Sequence, residues 1–200
     1  LYGDTALIGA KIDNSVISIV YVFTRPNADG TFTEQDTLNA TQNFGISVSL
    51  YGDTALIGAR YDSDNGKTTS GSVYVFTRSS VDGTFTQQSK LHASDAAADD
   101  YFLFGSSVSL YGDTALIGAQ GDDDNSKTNS GSVYVFTRSS VDGTFAQRSK
   151  LYASDAAVHD FFGVAVSLYG NTALIGARFD DDNVQSNSGS VYIFTRLSVD

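Results

Sequence analysis

The string Leu-Tyr-Gly-Asp-Thr-Ala-Leu-Ile-Gly-Ala opens the chain at Leu1–Ala10 and returns at Leu50–Ala59 and Leu110–Ala119. It comes a fourth time at Leu168–Ala177, with Asn171 in place of the Asp. The starts lie 49, 60 and 58 residues apart. A second string, SGSVYVFTRSSVDGTF, is identical at Ser70–Phe85 and Ser130–Phe145, degenerate over Ile19–Phe32 and cut short at Ser188–Asp200. A chain that repeats itself in this way stacks equivalent units, each burying its apolar face on a neighbour. Two whole units are flanked by two partial ones, and the boundaries read 1–43, 44–103, 104–161 and 162–200.

Within a unit the apolar period is 2, the period of a strand. In the second unit Ile46, Val48 and Leu50 alternate with Ser47 and Ser49, and Ala55, Ile57 and Ala59 alternate with Leu56 and Gly58. Val73 and Val75 alternate with Tyr74 and Phe76, whereas Thr84–Leu91 is more polar. β-branched and aromatic residues fill the runs, and Gly-Asp or Asp-Gly pairs separate them. This predicts four antiparallel strands per unit, with tight turns at Tyr51-Gly52-Asp53 and Val81-Asp82-Gly83. The first strand carries small residues on one face (Ser47, Ser49; Ser107, Ser109; Ala165, Ser167), and the fourth is the most hydrophilic. A wedge with its first strand at a crowded axis and its fourth in solvent is a propeller blade. A solenoid is the rival, but its coils are usually much shorter than these units. The expected fold is an all-β propeller with two complete and two partial blades, about 14 strands in all.

Phe-Gly-x-x-Val-Ser, then Ala-Leu-Ile-Gly-Ala, then Gly-Ser-Val-Tyr-Val-Phe resembles the FG-GAP repeat, the blade motif of integrin α-subunit propellers. Phe44-Gly45, Phe104-Gly105 and Phe162-Gly163 match the FG, and Gly58-Ala59, Gly118-Ala119 and Gly176-Ala177 match the GA of GAP. Arg60, Gln120 and Arg178 stand where that motif has Pro. The resemblance implies the propeller fold and says little about role, because one fold hosts many. Integrin-type blades carry a calcium loop between strands one and two. Here that connection is only Tyr-Gly-Asp-Thr, too short to wrap an ion that takes six to eight oxygens. That site is therefore not carried over.

Family propellers usually have seven blades, so the chain covers about half of one. With no Met anywhere, it reads as a processed product or a segment of a larger array or assembly. Further repeats or another chain would complete the ring. The formal net charge of −11 excludes ordinary nucleic-acid binding and argues against an anionic membrane surface. No Cys is present, so thiol chemistry and disulfides are excluded. No apolar run approaches the roughly 20 residues a membrane span needs. Glu34 is the only Glu; every other acid is Asp, a residue of turns and metal loops.

Those acids gather after strand two. Tyr61-Asp62-Ser63-Asp64-Asn65, Gly121-Asp122-Asp123-Asp124-Asn125 and Phe179-Asp180-Asp181-Asp182-Asn183 are equivalent loops. In an up-and-down blade they share a rim with the strand-four loops, which carry Asp95 and Asp100, then Asp155 and Asp160. Hard oxygen ligands without Cys or paired His favour calcium. The candidate ligands are Asp62, Asp64 and Asn65; Asp122, Asp124 and Asn125; and Asp180, Asp182 and Asn183. The structural alternative is that these residues build Asx-turns and keep the rim soluble. Tyr61 and Phe179, beside carboxylates, suit sugar stacking together with Asp95, Asp100, Asp155 and Asp160. Asn39-Ala40-Thr41 is a glycosylation sequon on an expected loop, consistent with a secreted protein. His92 and His159 sit at non-equivalent positions, no phosphate-binding Gly-rich loop occurs, and the acids repeat blade after blade where a single active site would break the repeat.

The sequence thus predicts a non-enzymatic extracellular or cell-surface propeller, a calcium-dependent adhesion or interaction module for protein or glycan. A structural repeat building a fibre, sheath or surface layer is one alternative, and a lectin with per-blade sugar sites is another.

Overall fold

The structure is a computed structural model, and it describes residues 1–11, 18–40, 44–63, 66–80, 83–96, 103–123, 126–181 and 186–196. Among the described residues fourteen strands form four antiparallel sheets. Blade 1 comprises β1 (Thr5–Lys11), β2 (Ser18–Thr24) and β3 (Thr33–Asn39). Blade 2 comprises β4 (Phe44–Tyr51), β5 (Thr54–Ala59), β6 (Ser72–Thr77) and β7 (Thr86–Leu91). Blade 3 comprises β8 (Phe104–Tyr111), β9 (Thr114–Ala119), β10 (Ser132–Arg138) and β11 (Phe145–Leu151). Blade 4 comprises β12 (Phe162–Tyr169), β13 (Thr172–Ala177) and β14 (Ser190–Thr195). Every strand pairs with its sequence neighbour, the meander of a propeller blade. No helix among the described residues is long and apolar enough to cross a membrane.

The core lies between blades, so both faces of the middle strands are apolar. Leu56, Val73 and Val75 leave blade 2 to pack on Phe104, Ile117, Tyr134 and Phe136 of blade 3. Leu116 and Val133 of blade 3 meet Phe162, Ile175 and Phe194 of blade 4 in the same way. In blades 2, 3 and 4 the Phe of the Phe-Gly pair makes an edge-to-face contact with the Tyr two strands on, at 5.5 Å for Phe44–Tyr74, 5.6 Å for Phe104–Tyr134 and 5.3 Å for Phe162–Tyr192.

The motif glycines follow from how closely blades approach. Gly105 has φ +87°, which a residue with a Cβ rarely adopts. Its carbonyl oxygen lies 2.1 Å from where a Cβ on Gly58 would sit, and Gly163 stands to Gly118 in the same way. The small face of strand one is the polar seam near the axis. Ser47 and Ser107 donate their hydroxyls to the carbonyls of Gly105 and Gly163 in the next blade, each at 2.8 Å. Ser49 and Ser109 accept from the backbone N–H of Leu110 and Leu168, each at 2.9 Å.

The Gly-Asp turns do more than close a hairpin. Asp53 and Asp113 hold the Nε–H groups of Arg78 and Arg138 at 2.9 and 2.8 Å. Arg138 also reaches back one blade to the hydroxyl of Thr54 at 2.7 Å. The turn expected at Val81-Asp82-Gly83 lies partly outside the described residues.

Candidate functional site

The loops after strand two and those after strand four meet on one rim. In blades 2, 3 and 4 the strand-two loop folds over itself through two acceptor positions with different duties. At the middle position, Asp123 accepts the backbone N–H of Asn129 at 2.7 Å, and Ser63 accepts that of Thr69 at 3.1 Å. Asp181 does the same for Asn187. The hydroxyl and the carboxylate are both acceptors, which explains why Ser63 can replace Asp at this position. Asn129, Asn187 and Thr69 have φ of 51°, 55° and 53°, a conformation the closing bond helps to hold.

The first Asp of each loop turns inward. Asp62, Asp122 and Asp180 are all buried. Asp62 accepts the Tyr74 hydroxyl at 2.9 Å and pairs with the Lys90 ammonium at 2.9 Å. In blade 3 the arrangement gains a fourth member. Lys150 lies 2.7 Å from Asp122 Oδ2 and 3.0 Å from Oδ2 of Asp95, which comes from the preceding strand-four loop. The Tyr134 hydroxyl completes the cluster by donating to Asp95 Oδ1 at 2.8 Å. Burial pushes the Asp122 carboxyl above its usual range, against the pull of Lys150. Partial burial acts on Asp95 too, but the hydrogen bonds from Lys150 and Tyr134 outweigh it and hold Asp95 low. Two flanking carboxylates raise the Lys150 pKa despite its desolvation.

Blade 4 repeats this arrangement without the lysine. Tyr192 has one hydroxyl hydrogen and two carboxylate acceptors, Asp155 at 2.7 Å and Asp180 at 3.0 Å. Burial, with those two carboxylates, pushes its pKa up. Asp160 accepts the backbone N–H of Ala157. Burial raises its pKa, and Asp180, Asp181 and Asp155 add to the effect. Among the described residues no lysine or arginine pairs with Asp155 or Asp180 in blade 4, where Lys150 pairs with their counterparts Asp95 and Asp122 in blade 3; Lys127 comes near, donating to the Ala156 carbonyl at 2.6 Å.

Of the residues anticipated as ligands, Asp62, Asp122, Asp180, Asp95, Asp155 and Asp160 converge on this rim as described. Asp64, Asn65, Asp100, Asp124, Asn125, Asp182 and Asn183 lie outside the described residues. Among the described residues no three His, Cys, Asp or Glu side chains cluster closely enough to hold a metal ion. Tyr61 and Phe179 are each faced by a guanidinium, Arg60 and Arg178, with the charge 4.7 Å from the ring centre. Phe179 also meets Phe161 edge-on at 5.7 Å. Asn39 was expected on a loop. It is instead the last residue of β3, exposed and paired with Ile19, because β3 extends to the end of its ladder with β2.

Sequence reasoning passed over Lys90 and Lys150. Their signal was present, since Ser-Lys-Leu closes the fourth strand of both complete units, in step with the recurring Asp.

The model of the FG-GAP repeat matches residues 32–76, 85–136 and 145–194, well over half of the chain. No curated protein sequence matches it. Among solved structures, the periplasmic gluconolactonase PpgL of Pseudomonas aeruginosa superposes with a TM-score of 0.57 at 15% identity, over 96% of this chain and 49% of that one. Sqt1 of Saccharomyces cerevisiae gives a TM-score of 0.45 at 14% identity, over 88% of this chain and 44% of that one. The chain thus spans about half the length of these structures. The first likeness corrects the expectation of a non-enzymatic chain: an enzyme is built on this architecture, so repetition of blades does not exclude catalysis. At 15% identity, what the two share is the fold.

Proposed function

The chain belongs to the FG-GAP repeat family, and we propose that it is an interaction module whose acidic rim meets a protein or glycan, with calcium as counter-ion of the Asp-rich loops. The observation that carries this reading is the surplus of carboxylate on one rim. Asp95, Asp123, Asp155 and Asp181 are exposed there. In blade 4 Asp155 and Asp180 share a single phenolic hydrogen. Asp62, Asp95 and Asp122 are already engaged by lysines, so an added cation draws on the other carboxylates of the rim. A rigid scaffold with a repeated polar loop suits avidity, several weak contacts made at once. The exposed Asn39 of the sequon fits an extracellular or cell-surface setting.

Thermal melts in calcium and in excess chelator test the metal. A ligand that binds only the folded state stabilises it by RT ln(1 + [L]/Kd), so millimolar calcium on a micromolar site adds about 4 kcal/mol. Equal melts remove calcium and leave an electrostatic rim. Binding to immobilised glycans and to cationic peptides, with and without calcium and at rising salt, tests the interaction. Failure to retain either class at low salt overturns it.

A further inference from the structure

Strand one ends on a tyrosine in blades 2, 3 and 4: Tyr51, Tyr111 and Tyr169 close β4, β8 and β12. Tyr2 holds the same place ahead of β1. Each of the four pairs across its turn with the Thr three residues on. The turns are held by glycines in the left-handed region, with φ +58° at Gly52 and +57° at Gly112. Strand one is the innermost strand, so these rings line up near the axis, at the end of the blades opposite the acidic rim. They touch in series. Ring centres are 4.9 Å apart for Tyr2–Tyr51, and 5.0 Å apart for both Tyr51–Tyr111 and Tyr111–Tyr169, all within aromatic contact.

Each complete blade has a second tyrosine, on strand three, and the two are used differently. Tyr74 and Tyr134 donate their hydroxyls to Asp62 and Asp95. The hydroxyls of Tyr51 and Tyr111 make no hydrogen bond among the described residues. Phenylalanine would stack here as well, so packing alone does not explain the phenols. Burial, then the neighbouring Tyr2 and Tyr111, push the Tyr51 pKa up and keep it a neutral phenol at neutral pH. The chain also has no Cys, Met or Trp. The sulfur side chains that ordinarily take up oxidising equivalents are missing. Tyrosine is then the side chain that gives up an electron most readily.

We propose that the inner pair, Tyr51 and Tyr111, is a site of oxidative coupling to dityrosine, driven by hydrogen peroxide through an oxidant of the peroxidase class. Each phenol gives up one electron and its hydroxyl proton. The two phenoxyl radicals join by one carbon–carbon bond between ring carbons adjacent to the C–O carbons. The C–H bond on each joined carbon breaks, and its hydrogen moves to the phenol oxygen and restores the ring. Hydrogen peroxide takes the two electrons and two protons and becomes two waters. A radical formed on any rung passes between touching rings, and holding both rings in one fold makes the coupling intramolecular. The product ties blade 2 to blade 3 at the kind of interface on which a repeat array depends.

The test treats the 200-residue chain, at low concentration, with a peroxidase and limiting hydrogen peroxide. Dityrosine fluorescence and the masses of tryptic peptides are read. The expected product is a single chain lighter by two hydrogens, with the peptide of Tyr51 joined to that of Tyr111, in a yield unchanged by dilution. Tyr111→Phe keeps the ring and removes the phenol; it should lose that joined peptide and the greater part of the fluorescence. Tyr152 is 51% exposed and outside the ladder, so Tyr152→Phe should leave the yield unchanged. The chain oxidised in denaturant should give scattered links. Links mainly between chains, joined peptides centred on Tyr152, the same pattern in the folded and denatured chain, or no dityrosine would each overturn the proposal.

Discussion

Blades 3 and 4 carry nearly the same strands and live in different surroundings. Thr-Ala-Leu-Ile-Gly-Ala forms β9 in one and β13 in the other, and Ser-Val-Tyr-Val-Phe-Thr of β10 differs from β14 only by Ile193. Yet Leu116 and Val133 are 2% and 0% exposed, whereas Leu174 and Val191 are 42% and 67% exposed. The local sequence sets the strand, its twist and its two apolar faces. The neighbouring blade sets whether a face is buried. In a quasi-one-dimensional array, stability therefore resides largely in the interfaces between units.

The glycines give the widest split between the two blades. A Cβ at Gly118 would sit 2.1 Å from the Gly163 carbonyl oxygen, which is backbone and cannot step aside. At Gly176 the nearest atom would be 3.7 Å away. Gly118→Ala should cost about 3 kcal/mol, the upper end of ordinary overpacking. Gly176→Ala should be neutral or stabilise by up to about 1 kcal/mol, because Ala restricts the unfolded chain and fits a strand better than Gly. Chemical denaturation of the two variants measures this. If both lose stability alike, the trailing face of blade 4 is covered in solution, as it is in blade 3.

The lysines come next. Lys150 pairs with both Asp122 and Asp95, while Lys90 is paired with Asp62. Removing Lys150 leaves a buried carboxylate without its cation. The expected loss is about 2 kcal/mol, less than for a fully buried pair because the Lys150 side chain is 23% exposed. Lys90→Ala should cost about half as much. The sign with pH follows from Asp122, whose folded pKa is raised. Its ionisation opposes folding, so the penalty of Lys150→Ala is full at neutral pH and shrinks as acid protonates Asp122. Melts of the variant and parent across that range check the trend; a pH-independent deficit would point to lost packing of the lysine stem instead.

These pairs also mark how far the sequence could be read. The strands, their order and the incomplete outer blades were legible because period-2 alternation and turn residues are local, and repetition shows them several times over. The axial serines could be located from their small size on one face of strand one. The partners of the acids could not. Asp62 and Lys90 lie in different loops and strands, and only the blade's twist brings them together. Local chemistry alone reads Asp62 as a free ligand and Lys90 as a solvated surface residue. The Asp–Arg clips at Asp53 and Asp113 were hidden for the same reason, 25 residues apart in the chain. Correlated recurrence across units was the available clue: where Asp62, Tyr74 and Lys90 stand, Asp122, Tyr134 and Lys150 stand again.

The smallest expected effect sharpens the electrostatic side of the comparison. Among the described residues no lysine pairs with Asp155, Asp160, Asp180 or Asp181, although Lys127 donates to the Ala156 carbonyl of the same loop at 2.6 Å, and Asp160 is pushed up by burial and by the other three. A carboxyl whose folded pKa is raised stabilises the fold while it is protonated, at pH below its unfolded value. That contribution is lost as pH rises through the folded value. Asp160→Asn removes the charge and keeps an oxygen for the Ala157 N–H. Asp160 is buried, but the Ala157 N–H keeps an acceptor, so at pH 7 the variant should be more stable by about 0.5 kcal/mol, the low end of a single polar contact. At about pH 3, below the ordinary carboxylate pKa, the gain should vanish. Calcium on the same rim would screen Asp160 and shrink the neutral-pH gain as well. The difference in melting temperature between Asp160→Asn and parent, measured at both pH values and with calcium added, therefore reports whether the rim of blade 4 takes up a cation where blade 3 has Lys150.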